Sequence, residues 1–192
     1  MITFKKKILL ASNSPRRKEL LAGLGVPFEV QTTPVDETHE GISPEHISAY
    51  LAEKKARAFE APGDQTLVLC ADTVVVAGDQ ILGKPVDRQE AVKMLHMQSG
   101  TTHRVFTSVC LRDGDRLSVQ TDVARVTFRT LSENEINYYV DTFRPFDKAG
   151  AYGIQEWIGM VGVERIEGSF YTIMGLPTHL VYQMLQPYFA NE

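Results

Sequence analysis

Two spacings of apolar residues take turns along this chain and divide it into strands and helices. "KILLA" (7–11) is a compact apolar run that predicts a short buried strand. A helix follows from Pro15 to about Gly23, with Leu20, Leu21 and Leu24 as its apolar stripe, Ser14 as N-cap and Gly25 as its stop. Residues 27–32 predict a second strand, and "TPVDETHEG" (33–41) a polar loop. Ser43-Pro44-Glu45 opens a long helix with Ile47, Tyr50, Leu51, Ala58 and Phe59 at helical spacing, which ends before Pro62-Gly63. "TLVLCADTVVVAGDQILGKP" (66–85) is a long strand turning at Gly78-Asp79 into a shorter one, and Asp87 caps a helix over roughly residues 88–97.

The rest of the chain changes character. Residues 102–131 hold two long β runs around Asp113-Gly114, a hairpin signal. "SENEINYYV" (132–140) places Glu135 three residues after Ser132, a capping box that opens a short helix. The stretch 147–175 is glycine-rich and strand-like with a turn at Gly168-Ser169, and Pro177 to Leu185 forms a last helix. No internal repeat or linker interrupts this order. Hairpins outnumber clear βαβ units, so the expected fold is α/β, a mixed twisted sheet with flanking helices.

Composition narrows the classes. A length of 192 residues, 43% of them hydrophobic, suffices for a substantial core, as one domain or two closely joined lobes. The formal net charge of −4 leaves no global basic field, so neither a nucleic-acid polymer nor a membrane is an expected partner. Lys5, Lys6 and Lys7 precede only the apolar Ile8 to Ala11, too few for a signal peptide, and no run approaches a membrane span. Cys70 and Cys110 sit in apolar strand-like runs, as reduced core residues of a cytoplasmic protein would.

Against that background, certain polar residues are out of place. The helix at Pro15 carries Arg16, Arg17 and Lys18 in its first turn, where the macrodipole already repels cations. At about 100° per residue Arg17 shares a face with Leu21 and Leu24, pointing a cation past the helix end. With the hydroxyls of Ser12 and Ser14 and the free first-turn N–H groups, this composes a phosphate receptor. An ordinary capped surface helix with solvated basic residues is the competing reading. Asp72 interrupts an otherwise apolar strand, where an ionised carboxylate must be paired, hydrogen-bonded or metal-bound. It is a structural ion-pair member, or a catalytic or metal-binding carboxylate. Asp36-Glu37, an ordinary surface pair taken alone, would beside Asp72 supply oxygen ligands for Mg²⁺ or Mn²⁺. Lys54 and Lys55 flank the stripe of the long helix, and Lys84 is held before Pro85. In "AGAYGIQ" (149–155), Gly150 and Gly153 permit close approach of a planar ligand, and Gln155 offers one donor and one acceptor to a base edge.

These residues resemble the Maf family of nucleoside-triphosphate pyrophosphatases. The similarity runs through "LLASNSPRRKELL" (9–21), "VDET" (35–38), "LAEKKARA" (51–58), "ADTVV" (71–75), "GKP" (83–85), "VTFRTLSENEINYYV" (126–140), "DKAGAYGIQ" (147–155) and "GLP" (175–177), nearly the whole chain in order. It implies one Maf-like domain over residues 1–192, two lobes around a central cleft in the manner of inosine-triphosphate pyrophosphatases, and a divalent metal, Mg or Mn. Members are often dimers, so a homodimer is among the expected states. "SPRR", "ADT" and "AGAYGIQ" are similar to the branch acting on dTTP, UTP and modified pyrimidine triphosphates.

Carried over residue by residue, the resemblance implies Asp72 as proton acceptor and, with Glu37, as metal ligand. Arg16, Thr73 and Gln155 match positions associated with substrate choice, and Ser12, Arg17, Lys55 and Lys84 with the phosphates, to which the reading of the helix start adds Ser14. Relatives often carry Glu where this chain has Lys54, so either Lys54 or Lys55 is in line for the phosphates. The competing readings are a pyrophosphatase for 7-methyl-GTP or another noncanonical nucleotide, and a nucleotide-binding cell-division regulator with weak turnover.

Overall fold

A computed structural model of the chain describes residues 2–59 and 63–190. Its regular elements run β1 (Lys7–Leu10), α1 (Pro15–Gly23), β2 (Glu29–Val30), α2 (Pro44–Arg57), β3 (Thr66–Ala77), β4 (Gln80–Leu82), α3 (Arg88–Gln98), β5 (Thr102–Asp113), β6 (Arg116–Phe128), α4 (Glu133–Phe143), α5 (Trp157–Gly162), β7 (Val163–Glu167), α6 (Phe170–Met174) and α7 (Thr178–Leu185). The strand order β2-β1-β3-β5-β6-β7, with β4 on β3, mixes parallel and antiparallel neighbours, as the mixture of hairpins and crossovers predicts. Contacts divide the chain into two compact units.

The first unit comprises the described residues of Met1–Asp72, Thr107–Asp122 and Gly175–Glu192. Here β1 lies parallel to both β2 and β3, Leu10 facing Val30 on one side and Leu69 on the other. The period of two sends Ile8, Leu10, Leu67, Leu69, Ala71, Val109 and Leu111 to one face, where Leu21 of α1 and Val181 and Leu185 of α7 cover them. Val68, Cys70 and Cys110 take the other face, against Ala52 and Ala56 of α2. Each fully buried leucine in such a layer contributes about 1.5–3 kcal/mol. Both cysteines are buried free thiols, and burial pushes each up to about 12.

The second unit comprises Thr73–Phe106 and Val123–Met174. Its strands pair antiparallel, Val75 with Leu82 and Arg125 with Glu167. His103 is buried here, in edge contact with Phe128 and Tyr152 and bonded to the Tyr152 hydroxyl at 2.8 Å. Burial pulls its imidazole down to about 4, so the ring is neutral. Asp87 accepts from the Glu90 amide at 2.8 Å, and Ser132 and Glu135 form the expected capping box.

The structure departs from the sequence pattern in four places. The strand expected over 27–32 pairs only at Glu29–Val30, with Phe28 just before it packed against the core. The strand-like stretch 147–175 contributes one strand, β7. Its remainder forms a 3₁₀ turn at Ala149–Ala151 and the short helices α5 and α6. Glycine lowers helix propensity, but in α5 Gly159 is required by packing: a Cβ there would stand 1.8 Å from the Ile154 carbonyl oxygen. Neither Ser14 nor Ser43 caps its helix through its side chain, although each occupies the N-cap position. Tyr50 is exposed rather than part of the core stripe, and α2 stops at Arg57, with Pro62 outside the described residues.

Candidate active site

Because β1 and β3 are parallel, with Leu10 beside Leu69, the chain leaves β1 next to the point where β3 runs on past it, and the carboxyl ends of strands are where α/β sheets bind ligands. Ser12 lies just past β1, and Asp72 comes three residues after Leu69. Alternation places Asp72 on the α2 side with Val68 and Cys70, and it is 7% exposed. Lys55, on the sheet-facing side of α2, brings Nζ to 2.5 Å from Asp72 Oδ1. The same ammonium meets Glu37 Oε1 at 2.8 Å, so the loop carboxylate joins the pair.

One residue earlier on α2 the direction is different. Lys54 Nζ points to the Thr38 carbonyl at 3.4 Å and to Asp36 Oδ2 at 3.6 Å, and lies over the Tyr50 ring. Successive helical residues are about 100° apart, so only one of two adjacent lysines can face the sheet. Lys55 is that residue. Asp36 turns back on its own loop, accepting from the Thr38 amide at 3.0 Å and the Thr38 hydroxyl at 2.5 Å. Those bonds hold its carboxyl below the ordinary range. The acidic pair is thereby divided: Asp36 shapes the loop and Glu37 reaches the lysine.

The first turn of α1 supplies the remaining cations. Arg17 is partly buried on the same side as Leu21; its Nε donates to the Gly175 carbonyl at 2.8 Å and its Nη1 faces Ser12 Oγ at 3.5 Å. Ser12, itself buried, also accepts from the Ser14 amide at 3.2 Å, which fixes the turn leading into α1. Burial pulls the Arg17 guanidinium below its ordinary value, with Asp72 opposing that shift and Arg16 reinforcing it.

The charges balance around Asp72. Burial raises its carboxyl above the ordinary carboxylate range, Lys55 and Arg17 hold that rise in check, and Glu37 adds to it. For Lys55, burial acts downward, but the facing Asp72 and Glu37 outweigh it and leave the ammonium above its ordinary value.

Thr73, Lys84 and Gln155 belong to the second unit. Thr73 follows Asp72 on β3 and so points to the opposite face. Lys84 is exposed two residues beyond β4, and Gln155 is exposed between the 3₁₀ turn and α5. The "GKP" and "AGAYGIQ" segments are joined directly, the Gly150 amide donating to the Gly83 carbonyl at 3.0 Å. The two glycines expected to admit a planar ligand are instead filled by protein. At Gly150, with φ +73°, a Cβ would meet Val75 at 3.1 Å and the Gln98 amide oxygen at 3.3 Å. At Gly153 it would stand 2.8 Å from the carboxyl carbon of Glu156. Two features of the structure carry little signal in the sequence. The Gly175 carbonyl that holds Arg17 lies in "GLP", a motif with no side-chain chemistry to betray it. Lys148 is buried beside Glu156, and its flanking small residues in "DKAGA" were the available signal.

The chain is similar to known proteins over most of its length. A protein of Porphyromonas gingivalis named dTTP/UTP pyrophosphatase is 49% identical over 189 residues, covering 96% of this chain and 95% of that protein. One of Bacteroides fragilis bearing the same name is 49% identical over 183 residues, covering 94% and 95%. Among solved structures, a HAM1 protein from Coxiella burnetii aligns with a TM-score of 0.46 and 14% identity over 95% of this chain and 99% of that one. The family model described as Maf-like protein matches residues 7–188, and the chain belongs to that family.

Proposed function

We propose that this protein hydrolyses dTTP and UTP, and modified pyrimidine triphosphates, to the monophosphate and pyrophosphate. The observation that carries the reading is the buried Asp72 carboxylate, 2.5 Å from Lys55 Nζ and in the field of Arg17. A base that must work beside phosphates needs cations around it, and burial keeps it basic despite them. The names of the relatives above support the choice of substrate.

In this mechanism a water held by the Asp72 carboxylate gives its proton to that carboxylate as its oxygen attacks the α-phosphorus. The bond from that phosphorus to the bridging oxygen breaks, and pyrophosphate leaves with the electron pair. Lys55, Arg17 and Ser12 donate to phosphate oxygens as charge builds on them, the dominant stabilising effect in such transfers. Ser14 is assigned to the phosphates as a hydroxyl at the start of α1, and Lys84 to the phosphates and Arg16, Thr73 and Gln155 to base choice on their match to the family's positions. The carboxylate oxygens of Asp72 and Glu37 lie 2.5 and 2.8 Å from one cationic atom, so the pair is close enough to share a cation. Mg²⁺ is bound by one or two carboxylates plus substrate phosphates, and in this reading Asp72 and Glu37 would be the carboxylates that hold Mg or Mn. Such a metal, when bound, supplies Lewis-acid stabilisation of phosphate charge.

A product assay across dTTP, UTP, CTP, ATP and 7-methyl-GTP tests the reading. Pyrophosphate and monophosphate are expected from dTTP and UTP. Orthophosphate and a nucleoside diphosphate would refute attack at the α-phosphorus, and a preference for 7-methyl-GTP would refute the substrate.

A further inference from the structure

Lys148 bears a charge yet is only 7% exposed. Its Nζ meets Asp147 Oδ1 at 2.7 Å and Glu156 Oε1 at 3.0 Å. The second Glu156 oxygen accepts from the Tyr139 hydroxyl, and the Tyr139 oxygen in turn accepts from the Gly153 amide at 3.0 Å. Ammonium, carboxylate, phenol and backbone amide thus form one chain of bonds that starts at Lys148, runs through Glu156 and Tyr139 of α4, and ends at the Gly153 amide. Tyr139 is fully buried, stacked on Phe143, and its phenol is raised by burial and by its bond to Glu156.

The segment held by this chain is tightly closed. The Glu156 amide donates back to the Gly153 carbonyl at 3.0 Å, and the Glu156 side chain packs where a Gly153 Cβ would be. Gly159 lies against the Ile154 carbonyl. Gly153 and Ile154 are buried, while Gln155 between them and Glu156 is exposed. Desolvating a lysine and a carboxylate is unfavourable, and apolar side chains of similar volume would often stabilise as well. What an apolar cluster lacks is a fixed bond to one backbone amide.

We propose that Tyr139, Glu156 and Lys148 are positioning residues that hold the 153–156 turn and thereby orient Gln155. The inference rests on the base-reading role proposed for Gln155. Tyr139 sets the turn through the Gly153 amide, Glu156 orients the Tyr139 hydroxyl, and Lys148 fixes the Glu156 carboxylate.

Two measurements test it. Tyr139→Phe keeps the ring and removes the hydroxyl, so hydrogen exchange at the Gly153–Glu156 amides should accelerate about tenfold or more, with amides in β1 and α2 unchanged. Unchanged exchange in the turn would overturn the proposal whatever the substrate is. The second reads the ratio of kcat/KM for dTTP over CTP in Gln155→Ala, Tyr139→Phe and the double variant. Tyr139→Phe should lower that ratio, and the double variant should match Gln155→Ala, because an orienting group has no effect once its target is gone. Additive losses would overturn the coupling to Gln155. Glu156→Gln, which retains an acceptor for Tyr139, should preserve more of the ratio than Glu156→Ala; equal losses would contradict the role assigned to Glu156. If exchange accelerates while Gln155→Ala leaves the ratio untouched, the positioning of the turn stands and the base-reading role falls.

Discussion

Lys55 Nζ lies 2.5 Å from Asp72 Oδ1, while its neighbour Lys54 faces Asp36 and the ring of Tyr50. Two adjacent lysines therefore have separate work, and the division follows from the 100° step of the helix. Lys55→Met should lower turnover sharply and Lys54→Met by little. Steady-state pyrophosphate release from the two variants makes the comparison; equal losses would contradict this division.

Asp72→Asn keeps the side chain's shape and removes the proton acceptor of the proposed mechanism. Turnover is expected to fall by about 10²–10⁴-fold, the usual range for a general base. The fold should persist, because Lys55 keeps Glu37 as a partner at 2.8 Å. Circular dichroism and a rate measurement on the same sample decide it. A rate near that of the parent protein would return Asp72 to a structural role.

The acid limb of the pH–rate profile carries a second signature of this residue. Asp72 accepts a proton only when ionised, and burial places its carboxyl above the ordinary range near 4. Activity should therefore fall, as pH falls, at a higher pH than an exposed aspartate gives. Removing Lys55 takes away the nearest opposite charge, so in Lys55→Met the limb should move further up in pH. A limb that stays in place or moves down would show that another group controls it. Stability runs in the matching sense. Between its unfolded and raised folded pKa the native Asp72 binds more proton than the unfolded chain, so its contribution weakens as pH rises through that window.

Base choice should follow the hydrogen-bonding edge. Thymine and uracil present carbonyl, N–H and carbonyl, which an amide meets with one donor and one acceptor, and they differ by a methyl worth about 1–3 kcal/mol. Both dTTP and UTP should be turned over well, and CTP and ATP poorly. Gln155→Ala should erode that preference more than it slows dTTP hydrolysis. Measured kcat/KM ratios in the two proteins settle the point, and unchanged ratios would remove Gln155 from base recognition.

The capping box of α4 gives a test independent of chemistry. Ser132→Ala removes the bond to the Glu135 amide and should destabilise by about 1 kcal/mol. For a chain of this length that lowers Tm by roughly 2–4 °C, with kcat unchanged. Bonds from Arg129 and then Ser132 hold the Glu135 carboxyl at about 2, below its unfolded value. Its contribution is thus present above the unfolded pKa and lost as pH falls toward 2. A Tm difference that survives unchanged into that acid range would count against the assignment.

Much of this molecule is local, and local features are legible in a string of residues. The alternation of Leu67, Val68, Leu69 and Cys70 marks a strand buried on both faces, and that same run makes Asp72 conspicuous, because a carboxylate there is unfavourable without partners. Ser132 with Glu135 and Asp87 with Glu90 are bonded across three residues, so their caps depend on nothing distant. The family motifs, too, are contiguous stretches.

The partners of Asp72 come from elsewhere in the chain and obey geometry that spacing does not carry. Lys55 is 17 residues away and outranks Lys54 through the rotation of α2 about its axis as it packs on Val68 and Cys70. Arg17 is held by the carbonyl of Gly175, 158 residues away, a group every residue possesses. The 147–175 stretch is strand-like in sequence yet mostly turn and helix in the structure, because its glycines answer to packing against distant residues: Gly150 lies against Val75 and Gln98, and Gly162 against Leu131. Backbone propensity is a weak preference of up to about 1 kcal/mol per residue, and contacts across the fold override it.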